Sequence, residues 1–193
     1  MKNNNINNNQ TKDQSILNIV WDWVKTIAIA LFITFVIKTF VIDATRISGK
    51  SMLNTLHDGD IVLVNKISRN FTDYKRGQIV ILHAPDYPNR LYVKRIIGMP
   101  GDEVIIKDGR VYVNGEVLKE KYVPSEETLA KTDQYGWILG DKEYLVFGDN
   151  RENSNDSRDF GSIFKEEIVG HAFFRLYPFS DAGLVDNNPY DND

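Results

Sequence analysis

Two short segments hold the residues best suited to chemistry: ISGKSMLNTL, residues 47–56, and LYVKRIIGMPGDEV, residues 91–104. If 91–97 is a strand, alternation puts Lys94 on one face with Tyr92 and Ile96 and turns Arg95 to the other with Val93 and Ile97. A lysine among apolar neighbours is pushed toward its neutral form, because desolvation penalises the ammonium. Bringing an ordinary lysine pKa of ~10.4 down to roughly 7–8 takes about three units, or about 4 kcal/mol. A neutral Lys94 amine within reach of Ser51 would take the hydroxyl proton as Oγ attacks a carbonyl, then return it to a leaving amine.

These residues need a rigid frame, and the chain between 43 and about 186 supplies the pattern of one. Short β-branched runs alternate with Gly, Asp, Asn and Pro, which predicts strands at 60–66, 78–82, 91–97, 103–107, 110–113, 116–118, 143–147 and 168–177. Asp108-Gly109 and Asn114-Gly115 tolerate positive φ, so EVIIKDGRVYVNGEVL reads as a three-stranded meander. Residues 119–140 have weaker periodicity and read as loops and irregular strand. The fold class expected is mainly β, an antiparallel sheet or barrel-like domain behind one N-terminal transmembrane helix.

That helix is read from VKTIAIALFITFVIKTFVI, residues 24–42, whose 19 residues would run about 28 Å, close to the thickness of a bilayer core. Lys25 and Lys38 lie near its ends, where long stems carry amines to headgroups, and Trp21 and Trp23 precede it as interfacial anchors do. A cleavable signal fits less well, because DATRISGK follows with no small-x-small pair. The expected organisation is a disordered Asn-rich tail at 1–22, a transmembrane anchor at 23–42, a β-rich domain at 43–186 and a flexible tail at 187–193. The tail before the anchor carries a slight excess of lysine, which favours a cytoplasmic N-terminus and an extracytoplasmic domain.

Composition removes several classes. With 193 residues, 42% of them hydrophobic, the chain has room for one catalytic domain. A net charge of −4 gives no reason to expect a nucleic-acid partner. The absence of cysteine removes disulfides, thiol nucleophiles and Cys-ligated zinc. Three scattered histidines without HExxH argue against zinc, and Gly49-Lys50-Ser51-Met52-Leu53 lacks the second glycine of a GxSxG elbow. The acidic loop from Asp149 fails as a calcium loop, having Arg151 at its third position and Ser154 at its sixth. A Ser-Lys self-cleaving repressor would carry a DNA-binding helix-turn-helix where this chain has an Asn-rich tail and an anchor.

SGKSMLNTL, GDIVLVNK, YVKRIIGMPGDEV and GDNRENSNDSRDFG, in this order, resemble the boxes of the type I signal peptidase family in its Gram-positive-like, single-anchor form with a Ser-Lys dyad. The resemblance covers about 43–178, with the anchor also in the family position. It implies Ser51 as nucleophile and Lys94 as base, Gly49, Met52 and Ser154 in oxyanion or positioning roles, and Arg95, Asp156 and Arg158 as structural support. On this resemblance Ser154 orients the lysine, and Asp156 pairs with Arg158 or Arg95. Asp149 and Asn150, which open the last box, are read as structural. No metal and no cofactor are implied. The implied partners are membrane-tethered secretory preproteins cut after Ala-x-Ala, the lipid bilayer and the secretion translocon, with the substrate adding as an extra strand along residues 43–47.

The sequence departs from the family pattern twice. Asn54 stands where the family usually has proline, and Gly49 stands where some members have a serine that helps the oxyanion hole, leaving that task largely to the Ser51 N–H. Asn54 also supports the alternative from a different class, a membrane-anchored assembly protein that keeps the fold without turnover.

Overall fold

The structure, a computed structural model, describes residues 5–87, 89–123 and 127–190. Its contacts divide the chain into two units, 1–41 and 42–193. The first unit is a single helix, α1 (Asn5–Phe40). Within it Asn18–Thr39 is long and apolar enough to cross a membrane, its 22 residues giving about 33 Å of helix. This stretch lies upstream of the expected 23–42, because Ile42 begins a strand instead of ending the helix. The helix also extends back to Asn5, into the tail whose composition predicts no fixed structure. Once the apolar stretch has nucleated a helix, each upstream residue adds a backbone bond without a second nucleation cost.

Among its described residues the second unit has twelve strands: β1 (Ile42–Arg46), β2 (Ile61–Asn65), β3 (Ile79–His83), β4 (Leu91–Gly98), β5 (Glu103–Lys107), β6 (Arg110–Val113), β7 (Glu116–Val117), β8 (Gly136–Ile138), β9 (Glu143–Phe147), β10 (Ile163–Phe164), β11 (Ile168–Tyr177) and β12 (Gly183–Leu184). The larger sheet runs β1-β2-β11-β3-β4-β9-β10, with β12 on β11, and the smaller runs β7-β6-β5-β8. All of these pairings are antiparallel. The expected meander is β5-β6-β7, and its turns place Asp108, Gly109, Asn114 and Gly115 at positive φ. The irregular excursion hides a short strand, β8, which pairs with β5 and makes the meander four-stranded. Strand β1, absent from the sequence-predicted strands, forms an end of the larger sheet.

Burial follows the sequence pattern. Strand β2 buries alternate residues, Val62 and Val64, whereas the unbroken apolar run of β3 is buried on both faces from Ile79 to Leu82. Three apolar clusters result. One gathers Ile47, Met52 and Leu56 with Val62, Val64, Ile79 and Ile81. A second joins the two sheets through Ile97, Val104, Val111, Trp137, Leu145 and Phe147. The third, around Val80, Leu82, Ile96, Tyr144 and Val146, lies beneath Tyr92. Of the segment expected to be a flexible tail from 187, residues 187–190 are packed, with Pro189 buried and Tyr190 half-buried, and 191–193 lie outside the described residues. Its order comes from Asn187, which accepts from the Ile79 N–H at 2.8 Å and donates to the Ala172 carbonyl at 2.7 Å, bridging two strands.

Strand β11 holds the larger sheet together, pairing β2 on one side and β3 on the other. A Cβ at Gly170 would overlap the Asn65 carbonyl oxygen and crowd the Val64 side chain, so β2 and β11 approach closely only because this residue has none. Gly170→Ala is therefore expected to destabilise the folded domain by about 1–3 kcal/mol, the usual cost of overpacking, measured by urea denaturation in detergent.

Candidate functional site

The turn carrying Ser51 is tied down from three directions. The Gly49 N–H donates to Asp58 Oδ1 at 2.8 Å, and Gly49 itself sits at φ +99. Behind Ser51, Met52 is buried in the first apolar cluster and its carbonyl accepts from the N–H groups of Thr55 and Leu56. On the far side, Asn150 donates its backbone N–H to the Ser51 carbonyl at 3.0 Å and its side-chain amide to the Lys50 carbonyl at 3.0 Å. The Leu53–Asn54 peptide bond is cis, at the position where the family pattern has proline.

Lys94 comes to this turn from the middle of β4. Its Nζ lies 3.0 Å from Ser51 Oγ, within hydrogen-bond range, and donates to the Val93 carbonyl at 3.1 Å. Only 3% of the residue is exposed, and its amine lies 5.0 Å from the centroid of the Tyr92 ring, on the face predicted by alternation. Burial pulls its pKa down from 10.5 to about 8. Asp156, Asp86 and Asp149 oppose that shift through their charge, and Lys131 reinforces it. The amine therefore has a substantial neutral fraction in weakly alkaline solution.

Arg95 points the other way and is buried at 1% exposure. Its partner is Asp149, not Asp156: Nε and Nη2 hold the two carboxylate oxygens at 2.9 and 2.8 Å. Asp149 also accepts from Thr55 Oγ1 at 2.5 Å, so its oxygens are committed to holding the site together and are not left for a calcium ion. Asp156 pairs instead with Arg158, accepting from Nε and Nη2 at 2.8 Å each, and it takes the Gly148 N–H at 3.0 Å. Its burial alone would raise the carboxyl pKa, but the Arg158 hydrogen bonds and charge, with the Gly148 N–H, bring it below the usual value. Asp156 also caps the short helix α2 (Ser157–Phe160).

Ser154, expected to orient the lysine, is not a partner of the amine in this structure. It is buried, and its hydroxyl lies toward Asp156, where it helps hold that carboxyl below its usual pKa. A Cβ at Gly148 would overlap this hydroxyl and lie 2.5 Å from the Ser51 carbonyl, so the bare backbone at 148 lets the last box close onto the serine turn. Sequence reasoning missed Arg151, which is buried and paired with Glu120, and Glu120 itself. Nothing local marks that pairing, because its members lie 31 residues apart, one of them in the irregular excursion.

Ser51 and Lys94 open into a cleft of about 490 Å³. Residues 45 and 46 of β1 and the stretch 47–51 form one side, and residues 91–94 of β4 with Asn153 and Asn155 form the other. A second hollow, about 580 Å³, is lined in part by Lys131, Arg151 and Arg158, each already paired with an internal carboxylate. Among the described residues no histidine bonds Ser51, whose hydroxyl meets Lys94. His171 instead meets Ser68, whose hydroxyl is spent on the Asn65 carbonyl.

The family model described as Signal peptidase, peptidase S26 matches residues 20–177, and the chain belongs to that family. A signal peptidase I of Bacillus amyloliquefaciens is 40% identical over 170 residues, covering 84% of this chain and 90% of that protein. Signal peptidase I S of Bacillus subtilis (strain 168) is 38% identical over 182 residues, 90% of this chain and 95% of that protein. Signal peptidase IB of Staphylococcus aureus (strain Mu50 / ATCC 700699) is 37% identical over 175 residues, 83% of this chain and 91% of that protein.

The buried amine carries a thermodynamic signature. Between pH 8 and 10.5 Lys94 is neutral when folded and charged when unfolded, so the unfolded chain binds the extra proton and stability rises with pH; below 8 the folded protein bears the full cost of the buried charge. A shift of this size corresponds to about 3 kcal/mol. Lys94→Met should therefore unfold at a higher denaturant concentration than the wild type at pH 7, with an advantage of up to about 3 kcal/mol that narrows steadily between pH 8 and 10.5.

Proposed function

We propose that this protein removes signal peptides from membrane-tethered secretory preproteins, with Ser51 as the nucleophile and neutral Lys94 as the general base. The observation that carries the reading is the 3.0 Å approach of a buried lysine amine to a serine hydroxyl. Lys94 takes the proton as Ser51 Oγ adds to the scissile carbonyl, and the Ser51 N–H meets the developing oxyanion. The protonated amine then gives its proton to the leaving amine, releasing the mature chain and leaving the signal peptide as an ester on Ser51. Water, deprotonated by the same lysine, hydrolyses that ester and restores the serine.

The substrate lies in the cleft as an extended strand against β1, its backbone supplying affinity and its small alternate side chains, of the Ala-x-Ala kind, filling the pockets. The apolar stretch Asn18–Thr39 anchors the chain in the membrane with the N-terminus on the cytoplasmic side. On this reading the cleft meets preproteins as they leave the secretion translocon. Asp149, Asn150, Asp156, Arg95 and Arg158 hold the serine and lysine segments together, and Gly49 and Met52 set the turn.

The test is cleavage of a preprotein with an Ala-x-Ala site by the purified, detergent-solubilised protein, with sequencing of the product N-terminus. Ser51→Ala and Lys94→Ala should each lower kcat/KM by at least about 10³-fold, since each removes a proton-transfer partner or the nucleophile itself. The wild-type rate should rise with pH through a midpoint near 8 as Lys94 loses its proton. Cleavage that survives Lys94→Ala would sink the mechanism. A folded wild-type protein that cuts no preprotein would favour the non-catalytic assembly role.

A further inference from the structure

The family match ends at residue 177, yet the chain remains packed to Tyr190. Residues 186–190 form a strap beside Arg95. Arg95 has five N–H donors and, being 1% exposed, needs a protein acceptor for each. Asp149 takes one from Nε and one from Nη2, Thr55 Oγ1 takes the other Nη2 hydrogen at 3.4 Å, and Nη1 serves the Gly77 carbonyl at 2.7 Å and the Asp186 carbonyl at 2.9 Å. The strap thus supplies the fifth acceptor.

The strap also holds a lid over the guanidinium. The Tyr122 ring stacks 4.2 Å from Arg95 Cζ, and the Tyr122 hydroxyl lies 2.6 Å from that of Tyr190. Asn187 fixes the strap between β3 and β11 by its two backbone contacts. From Arg95 the connection runs to Asp149, then to Asn150, whose two hydrogen bonds hold the Lys50 and Ser51 carbonyls. We propose that residues 186–190 are a positioning element for the reaction: by completing the cage around Arg95 they fix the 148–150 arm, and with it Ser51, against Lys94.

This inference rests on the Ser51–Lys94 reading and adds Asn187 and Tyr190 to the residues that support it. Loosening the strap leaves a buried N–H unpaired and lets the arm relax from the serine turn. Water then reaches the Lys94 amine from the Ser51 side. The charged groups facing that amine, Asp156, Lys131, Asp86 and Asp149, are all retained, so a change in its titration reports hydration and geometry.

The experiment compares full-length, detergent-solubilised wild type with Tyr190→Ala, Tyr190→Phe, Lys94→Ala and the mild core truncation Ile106→Val in the smaller sheet, using preprotein cleavage across pH together with Tm. Tyr190→Ala should lower kcat about tenfold, leave KM within about twofold, and move the acid limb of the profile up by about half a pH unit, with Tyr190→Phe changing in the same direction by about threefold in kcat. Ile106→Val should lower Tm and leave the limb in place. If Tyr190→Ala loses Tm while its kcat and limb stay as in Ile106→Val, the strap is packing only and the proposal fails. Should Tyr190→Ala not purify as a folded protein, Tyr190→Phe decides by the same two readouts. Retained cleavage by Lys94→Ala would overturn the underlying dyad, whereas an inactive Lys94→Ala beside wild-type-like Tyr190 variants overturns the strap alone.

Discussion

A lysine amine stays largely neutral in weakly alkaline solution only where water is kept from it, and the arrangement around Lys94 meets that condition. The side chain lies in the middle of β4, beside Tyr92 and over the third apolar cluster, with the serine turn across it. Each element that closes on it must come near, and glycine at 148 lets the last box do so. The cost of keeping the amine dry, about 3 kcal/mol, is a large part of the net stability of an ordinary domain. That cost is carried by apolar packing on both sides of β4, not by the polar groups of the site.

The polar groups have a different task. Three buried arginines, at 95, 151 and 158, are paired with Asp149, Glu120 and Asp156. Buried pairs of this kind add little over well-packed apolar residues, because desolvation consumes most of the attraction. What they fix is geometry, since a guanidinium presents its donors in a planar fork that accepts few alternative arrangements. Arg95 and Arg158 each divide their donors between a carboxylate and backbone carbonyls, so segments remote in sequence are locked at a common register.

The sequence was most legible where the signal is local. Alternation along 91–97 separated Lys94 from Arg95, and the Asp-Gly and Asn-Gly dipeptides located both turns of the meander. Contacts between distant residues left no such mark. The acid that pairs with Arg95 lies 54 positions away among several carboxylates, and only the folded register selects Asp149 over Asp156. Residues 187–190 share the composition of a disordered tail. Their order depends on one asparagine that meets a free N–H and a free carbonyl on two strands, and on one tyrosine that meets another. Strands of two residues, such as β10 and β12, are too short for any period to show.

Strand β1 stands at the open end of the larger sheet, paired on one side by β2 alone. A bare strand edge offers a row of backbone donors and acceptors to any extended chain, which is why most proteins cover or interrupt such edges. Here the edge borders the cleft and is only five residues long, and its exposed or half-exposed side chains include Asp43 and Arg46. A short, charged edge disfavours stacking with copies of itself. A backbone edge open to one extended peptide would be open to a second copy of the chain as well, and Asp43 and Arg46 are charges that a second copy would have to bring against its own.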